Sequence, residues 1–254
     1  MELHIEENFF GLNEAQNLAI KPLTIIIGKN GTGKTRLLNK VKQEHKDAHY
    51  LSIEERIQFA AQAKNLESYR ALIKNPELLE KVSRFYEAHF GMTLGTQDGE
   101  LIFRKERQGI SLNEIGLTES SLLPILINAY SSETLPIQII NQPELMLYPA
   151  LAAEVAEAVA SSAMNKIQHR DYVIETHSRD FILRLRALVA EGKLNPESLV
   201  IYYLDNEKEG ILIDEITVNE AGDVSSCPVG FFSSTLNETI RIRTAQLEKT
   251  EEED

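Results

Sequence analysis

The sequence has little cysteine, few basic residues and no long apolar run. Cys227 is its single cysteine, which excludes an internal disulfide and a metal site built from several thiolates. Its 26 Lys and Arg residues are outnumbered by 39 Asp and Glu residues, for a net charge of -13. This balance excludes a surface that is basic throughout, which extended binding to nucleic-acid phosphates requires. A local basic patch is still compatible with it.

No apolar run approaches the roughly 18 residues that a membrane-spanning helix needs. Near the N-terminus, Glu2, Glu6 and Glu7 occupy positions where a secretory signal has basic residues. Together with the single cysteine, these features predict a soluble, cytoplasmic protein without a membrane segment. We expect residues 1–254 to form one domain, with an acidic, frayed tail at 248–254.

Hydrophobic patterning predicts alternating strands and helices. Residues 23–27 read LTIII, a run typical of a strand buried on both faces of a parallel sheet. Further strands are predicted at 137–140, 172–175 and 199–204, and helices at 34–46, 120–130, 149–163 and 181–190. This order indicates an α/β fold with a largely parallel sheet flanked by helices. Additional β-structure is expected at 3–10, a helical and hairpin insertion at 54–112, and a terminal hairpin at 211–218 with a turn at 220–223.

Residues 28–35 read GKNGTGKT and match the phosphate-binding motif G-x-x-x-x-G-K-[ST] in full. In this motif the main chain of Asn30, Gly31, Thr32 and Gly33 directs N–H groups at phosphates. Lys34 would reach the β- and γ-phosphates, and Thr35 would be a ligand of Mg²⁺. The alternative is a glycine-rich turn that only connects strand to helix. The strand, loop and helix context favours ATP binding. GTP is less favoured, because the sequence has no N-K-x-D segment to read its base.

Four further segments, at 114–124, 137–149, 173–178 and 227–232, complete a resemblance to small bacterial ATPases of the SMC/RecF/OLD-like ABC group. The resemblance implies an ABC-type P-loop NTPase fold, with an antiparallel element near the N-terminus. It also implies two copies that enclose ATP between them. In such proteins a serine opens a helix whose N-terminus meets the γ-phosphate held by the opposite subunit. Ser120 is that candidate here, and an ordinary helix N-cap is the alternative.

The segment at 137–149, IQIINQPELMLYP, is similar to the Walker B segment of that group but departs from it. Asn141 stands at the position expected to help hold Mg²⁺, Gln142 at the catalytic position, and Tyr148 at the usual histidine. An amide neither offsets a divalent cation nor accepts a proton from water. We therefore expect hydrolysis to be slow, rearranged or absent. Glu144 is the remaining candidate base, and its alternative role is to orient the turn.

His177 lies in the segment VIETHS, similar to the switch-histidine segment of the group, where it would sense the γ-phosphate and orient water. The segment at 227–232 marks the resemblance, and packing of Phe231 and Phe232 is its default role. Two basic sets could contact DNA or an acidic partner, although charge runs are most often solvated. They are Arg104, Lys105 and Arg107, and Arg179, Arg184 and Arg186. A helix at 238–248 could dock a partner or the chain's own core.

Two functional hypotheses follow. The first is an ATPase switch that dimerises around ATP and, as the resemblance implies, serves DNA repair or antiviral defence against phage. The second is a regulatory ATP-binding module that hydrolyses poorly and scaffolds an effector such as a nuclease. A P-loop kinase is less favoured, because such enzymes lack a signature serine and a switch histidine.

Overall fold

The computed structural model describes residues 1–7, 9–12, 15–63, 67–106, 108–132, 137–165, 170–207, 210–226, 228 and 240–242. Arg107 and nearly all of the predicted features after residue 226 lie outside these residues. They are the 227–232 segment apart from Pro228, the helix at 238–248 apart from 240–242, and the acidic tail.

A six-stranded sheet forms the centre of the fold. Its strands are β3 (Leu23–Gly28), β4 (His49–Leu51), β8 (Ile137–Asn141), β9 (Asp171–Glu175), β10 (Leu199–Glu207) and β11 (Gly210–Ile216). Their order across the sheet is β11-β10-β3-β9-β8-β4, and all neighbouring pairs are parallel except β10 with β11. The glycine loop therefore leaves a central strand, with β9 on one side and β10 on the other.

Both faces of this sheet are covered, as the apolar run at β3 predicts. Ile25 and Ile27 pack into one buried cluster, and Ile26 packs into the other. The first cluster is covered mainly by α6 (Leu117–Tyr130), α7 (Pro149–Ala163) and α8 (Arg179–Ala190), and the second by α1 (Lys34–Glu44). Alternating side chains of one strand thus anchor helices on opposite faces.

The N-terminal β element is a two-stranded antiparallel sheet of β1 (Glu2–Ile5) and β2 (Gln16–Ala19). Leu3 and Ile5 are its buried residues on β1. A 3-10 helix follows at Phe9–Gly11, so the first strand is shorter than the predicted 3–10.

Between β4 and β8 the chain forms a lobe of helices and antiparallel strands. The helices are α2 (Ile53–Ile57), α3 (Phe59–Gln62), α4 (Glu67–Lys74) and α5 (Pro76–Phe90), and the strands are β5 (Thr93–Gln97), β6 (Glu100–Lys105) and β7 (Gln108–Ser111). The Asn75 side chain caps α5 by accepting a hydrogen bond from the Leu78 N–H. Gly91 ends the same helix with a φ of 63°, a conformation that favours glycine.

The C-terminal hairpin differs from its prediction in its partner. Residues 211–216 lie in β11, which pairs with β10. The turn at 220–223 is closed instead by an isolated antiparallel bridge between Val218 and Val224. Over the described ranges, no helix has both the length and the apolar character to cross a membrane.

Candidate functional site

The backbone of the glycine loop depends on glycine at three positions. Gly28 has a φ of 144°, Gly31 of 81° and Gly33 of 87°. At Gly28 an added Cβ would lie only 2.1 Å from the carbonyl oxygen of Leu204 on β10. Gly33 is the N-cap of α1, so the loop leads directly into a helix N-terminus. Such a loop forms a concave site for anions.

Two side chains of the loop turn inward. Lys34 is 4% exposed, and its Nζ donates to the carbonyl oxygen of Lys29 at 2.6 Å. Burial lowers the pKa of Lys34, and the negative charge of Glu175 opposes that shift. The Thr32 hydroxyl also donates to the Lys29 carbonyl, at 2.9 Å, so Thr32 offers a ligand its main chain.

A cavity of about 560 Å³ opens beside the loop. This volume suits a small-molecule ligand. Its lining comprises Asn30, Gly31, Gly33, Lys34, Thr35, Arg36, Gln142, Glu175 and His177. Most of the predicted loop residues, together with Gln142 and His177, are therefore brought to one place, whereas Thr32, Ser120, Asn141 and Glu144 do not line it.

Glu175 is a carboxylate of this cavity that the sequence interpretation missed. It is the last residue of β9 and is 3% exposed. The Thr35 hydroxyl donates to its Oε2 at 2.8 Å. The available signal was an acid at the carboxyl end of a buried parallel strand, two residues before His177, where ligands bind in open sheets.

Asn141 lies next to Glu175 on the adjacent strand, in direct register. It is 7% exposed. Among the described residues, its Oδ1 atom has no hydrogen-bond partner, which is uncommon for a buried polar atom. The following residue, Gln142, has a φ of 46°, and its N–H donates to the Glu175 carbonyl at 2.8 Å.

Arg56 holds this turn from the inserted lobe and was not predicted as part of the site. Its side chain is 2% exposed, and its guanidinium donates to the carbonyls of Asn141 at 3.1 Å and Gln142 at 2.6 Å. Burial lowers the pKa of Arg56 to about 10, opposed by the charge of Glu144. The first turn after β4 thus contacts the backbone at the end of β8.

Glu144 joins the ends of β8 and β9. Its Oε2 accepts a hydrogen bond from the Thr176 hydroxyl at 2.8 Å, and its Oε1 accepts one from the His177 N–H at 2.7 Å. Burial raises the pKa of Glu144, although these hydrogen bonds oppose the shift. Both carboxylate oxygens of Glu144 thus accept the hydrogen bonds that an orienting role requires. Action as a general base would break these hydrogen bonds.

His177 is half-buried at the cavity wall. Burial lowers its pKa below 6.5, and the positive charge of Lys34 lowers it further. Both effects favour the neutral imidazole, which can accept or donate a hydrogen bond.

Ser120 does not open its helix. Helix α6 begins three residues earlier, at Leu117, with Gly116 as its N-cap. Ser120 is 2% exposed; its N–H donates to the Gly116 carbonyl and its hydroxyl to the Leu117 carbonyl. The expectation that Ser120 caps or opens the helix is corrected, because a residue one turn into a helix already has an intrahelical acceptor. Its role toward the γ-phosphate of an opposite subunit stays a prediction.

The basic sets differ in their exposure. Arg184 is paired with Glu154 and Glu157 of α7, and Arg186 donates to the Gly222 carbonyl at 2.7 Å. These two guanidinium groups therefore stabilise packing within the chain. Arg104 and Lys105, at the end of β6, are exposed.

The fold is similar to that of SMC head domains. The SMC head domain from Thermotoga maritima matches with a TM-score of 0.55 at 10% sequence identity, over 85% of this chain and 98% of that chain. The SmcHead bound to the C-winged helix domain of ScpA matches with a TM-score of 0.56 at 9% identity, over 82% and 94%. No protein-family model and no curated protein sequence matches the chain. Matches at identities this low show the fold alone: the chain has the fold of SMC head domains, and the predicted α/β class with a largely parallel sheet flanked by helices is confirmed.

Proposed function

We propose that this chain binds Mg-ATP in the cavity beside the glycine loop and acts as an ABC-type ATPase switch. The observation that carries the proposal is the convergence of residues from three adjacent strands on one cavity. Lys34 and Thr35 follow β3, Gln142 follows β8, and His177 follows β9. Lys34 and the N-terminus of α1 would offset the charge of the triphosphate.

The residues present fit a magnesium ion that is held partly by the nucleotide. Thr35 offers a hydroxyl oxygen at the cavity, and Asn141 has a buried amide oxygen without a partner among the described residues. Hard oxygen ligands of this kind suit Mg²⁺. Over the described part of the chain, no group of three or more His, Cys, Asp or Glu side chains could hold a metal ion. This agrees with a cation that depends on substrate phosphates for further ligands.

Hydrolysis in such a site would be slow. Gln142 and His177 can orient a water molecule, but Gln142 cannot accept its proton. Glu144 would have to release the Thr176 hydroxyl and the His177 N–H before acting as a base. These features favour a second candidate function, in which the protein closes on ATP with little turnover and scaffolds an effector such as a nuclease.

We propose that a second copy of the chain binds to the side of the molecule on which the cavity opens. Leu117, Met146 and Tyr148 are 43%, 43% and 51% exposed. Leu117 and Met146 belong to neighbouring segments, since the Thr118 hydroxyl donates to the Met146 carbonyl at 3.1 Å. Met146 and Tyr148 lie in the segment that follows Gln142 of the cavity, and exposed apolar side chains of this kind suit an interface. By analogy with the SmcHead that binds a ScpA domain, we further propose an effector partner, in DNA repair or antiviral defence as the RecF and OLD resemblance implies.

Calorimetry with Mg-ATP and a phosphate-release assay test the proposal. The wild type is expected to bind Mg-ATP, and Lys34→Ala to lose most of that binding and to serve as the blank for hydrolysis. Measurable release above the blank supports the switch enzyme, and binding without release supports the scaffold. Asn141→Asp combined with Gln142→Glu should raise the rate of release. Absence of any heat with Mg-ATP would contradict both candidate functions.

A further inference from the structure

We propose that Glu175 supplies the carboxylate of the magnesium site, in place of the acid that β8 lacks at Asn141. The proposal rests on Mg-ATP binding at the glycine loop. It assigns the negative charge of the site to β9, the strand next to the loop strand, and leaves Asn141 as a neutral oxygen beside it.

The position of Glu175 follows from the strand order. Strand β9 lies between β3 and β8, and adjacent strands are about 4.8 Å apart. Glu175 pairs in register with Ile26 on one side and with Asn141 on the other. A carboxylate at the end of β9 is therefore one strand closer to the loop than a carboxylate at position 141 would be.

The contact with Thr35 places the charge at the loop. The Thr35 hydroxyl gives its hydrogen to Glu175 at 2.8 Å, which leaves the oxygen lone pairs available for a cation. The carboxylate keeps its other oxygen, Oε1, for a cation or a water bound to it. The charge of Glu175 also acts on Lys34, whose pKa it raises against the effect of burial.

The amide oxygen of Asn141 gives an independent indication of a ligand. It is buried, lies beside Glu175, and lacks a donor among the described residues. A buried acceptor without a donor is destabilising, because it has lost its hydrogen bonds to water without replacement. A bound cation, or a water that the cation orders, satisfies this oxygen and Glu175 at the same time.

The competing explanation is that Glu175 only positions Thr35 and the loop. The two roles predict different effects of losing Glu175 on ATP binding without Mg²⁺. If Glu175 only positions the loop, its loss weakens ATP binding with and without Mg²⁺. If Glu175 supplies the charge of the metal site, its loss weakens binding with Mg²⁺ alone. Without Mg²⁺, removal of a negative charge next to a triphosphate leaves binding equal or tighter.

The test is the ratio of ATP dissociation constants in EDTA and in Mg²⁺, measured by calorimetry for wild type and Glu175→Gln. We expect this ratio, which is the gain in ATP affinity that Mg²⁺ provides, to be about 10- to 100-fold smaller in the variant. The affinity of the variant for ATP in EDTA should be unchanged or higher. The double variant Glu175→Gln with Asn141→Asp returns a carboxylate to β8 and should recover most of the gain. Recovery by a charge on the neighbouring strand would not follow from a positioning role.

Asp205→Asn is the matched control. Asp205 also contacts the loop, through Lys29 at 2.8 Å, but it does not line the cavity. Its neutralisation should leave the ratio unchanged. Thermal unfolding without nucleotide reports whether each variant is folded. If Glu175→Gln does not fold, Glu175→Asp keeps the charge on a shorter side chain and should give a reduced ratio.

An unchanged ratio in Glu175→Gln, or in Glu175→Asp where that variant replaces it, would overturn the proposal while ATP binding stands. Equal weakening in EDTA and in Mg²⁺ would also overturn it, in favour of the positioning role. If the wild type itself binds no ATP in either condition, the proposed function fails, which is a separate outcome.

Discussion

A substitution at Gly28 should damage the fold much more than the same substitution at Gly31. Both residues have a positive φ, 144° and 81°, which an alanine adopts only with strain. They differ in their surroundings. An added Cβ at Gly28 would meet the Leu204 carbonyl oxygen at 2.1 Å, whereas one at Gly31 meets nothing within 4 Å.

The expected difference can be estimated from these contacts. Real Cβ contacts are essentially never shorter than 3.0 Å, so β3 and β10 would have to separate by at least about 0.9 Å, the difference between 3.0 and 2.1 Å. Overpacking of this kind is destabilising by about 1–3 kcal/mol, and the backbone strain adds about 1–3 kcal/mol. Gly31→Ala carries only strain, about 1–2 kcal/mol.

Urea unfolding without nucleotide measures both variants. Gly28→Ala should lower the free energy of unfolding by about 2–6 kcal/mol, a large share of the 5–15 kcal/mol typical of a domain. The gain from restricting the unfolded chain is the same for both alanines, so it cancels in the comparison. Equal losses in the two variants would refute the argument that the Leu204 carbonyl requires glycine at position 28.

Three further predictions concern the surroundings of the cavity. Arg56→Met should lower the unfolding free energy by about 3–5 kcal/mol, because it takes a donor from the Asn141 and Gln142 carbonyls and removes the positive charge near Glu144; amide exchange should also accelerate about tenfold in the turn that Arg56 holds, and unchanged exchange would contradict this role of Arg56. For His177, the pKa is lowered in the fold, so the unfolded chain binds more protons just below pH 6.5 and the free energy of unfolding should rise with pH there. Urea unfolding at several pH values should show a smaller rise of the unfolding free energy with pH in His177→Gln. The rise that remains includes a contribution from His49, whose pKa burial also lowers. An unaltered slope in His177→Gln would contradict a lowered pKa of His177. Leu117→Asp should prevent Mg-ATP-dependent dimerisation in light scattering, whereas Leu183→Asp, which changes a side chain of the same 43% exposure on α8, should not; a dimer of normal affinity in Leu117→Asp would exclude the proposed face.

Local sequence patterns were sufficient to predict the glycine loop and the elements around it. The run at 23–27, the motif at 28–35 and the helix after it are local features, because each depends on residues a few positions apart. The helix at 149–163 is likewise a local pattern, and its predicted bounds are those of α7. Gln142 and His177, which the resemblance singles out, both line the cavity, since each comes within two residues of the end of a strand with a clear apolar pattern.

Which carboxylate lies at the cavity depends instead on contacts between distant segments of the chain. Glu175 meets Thr35 across 140 positions of sequence, and this contact exists because β9 is the neighbour of β3, an order that apolar patterning does not encode. Arg56 reaches the end of β8 across 85 positions for a similar reason, through the position of β4 at the sheet edge. Whether Ser120 lies at the start of α6 or one turn into it depends on where the helix begins. The N-cap, Gly116, has no side chain that would mark this start in the sequence. Strand order and helix starts follow from the packing of distant segments, so they become visible only once the chain is folded.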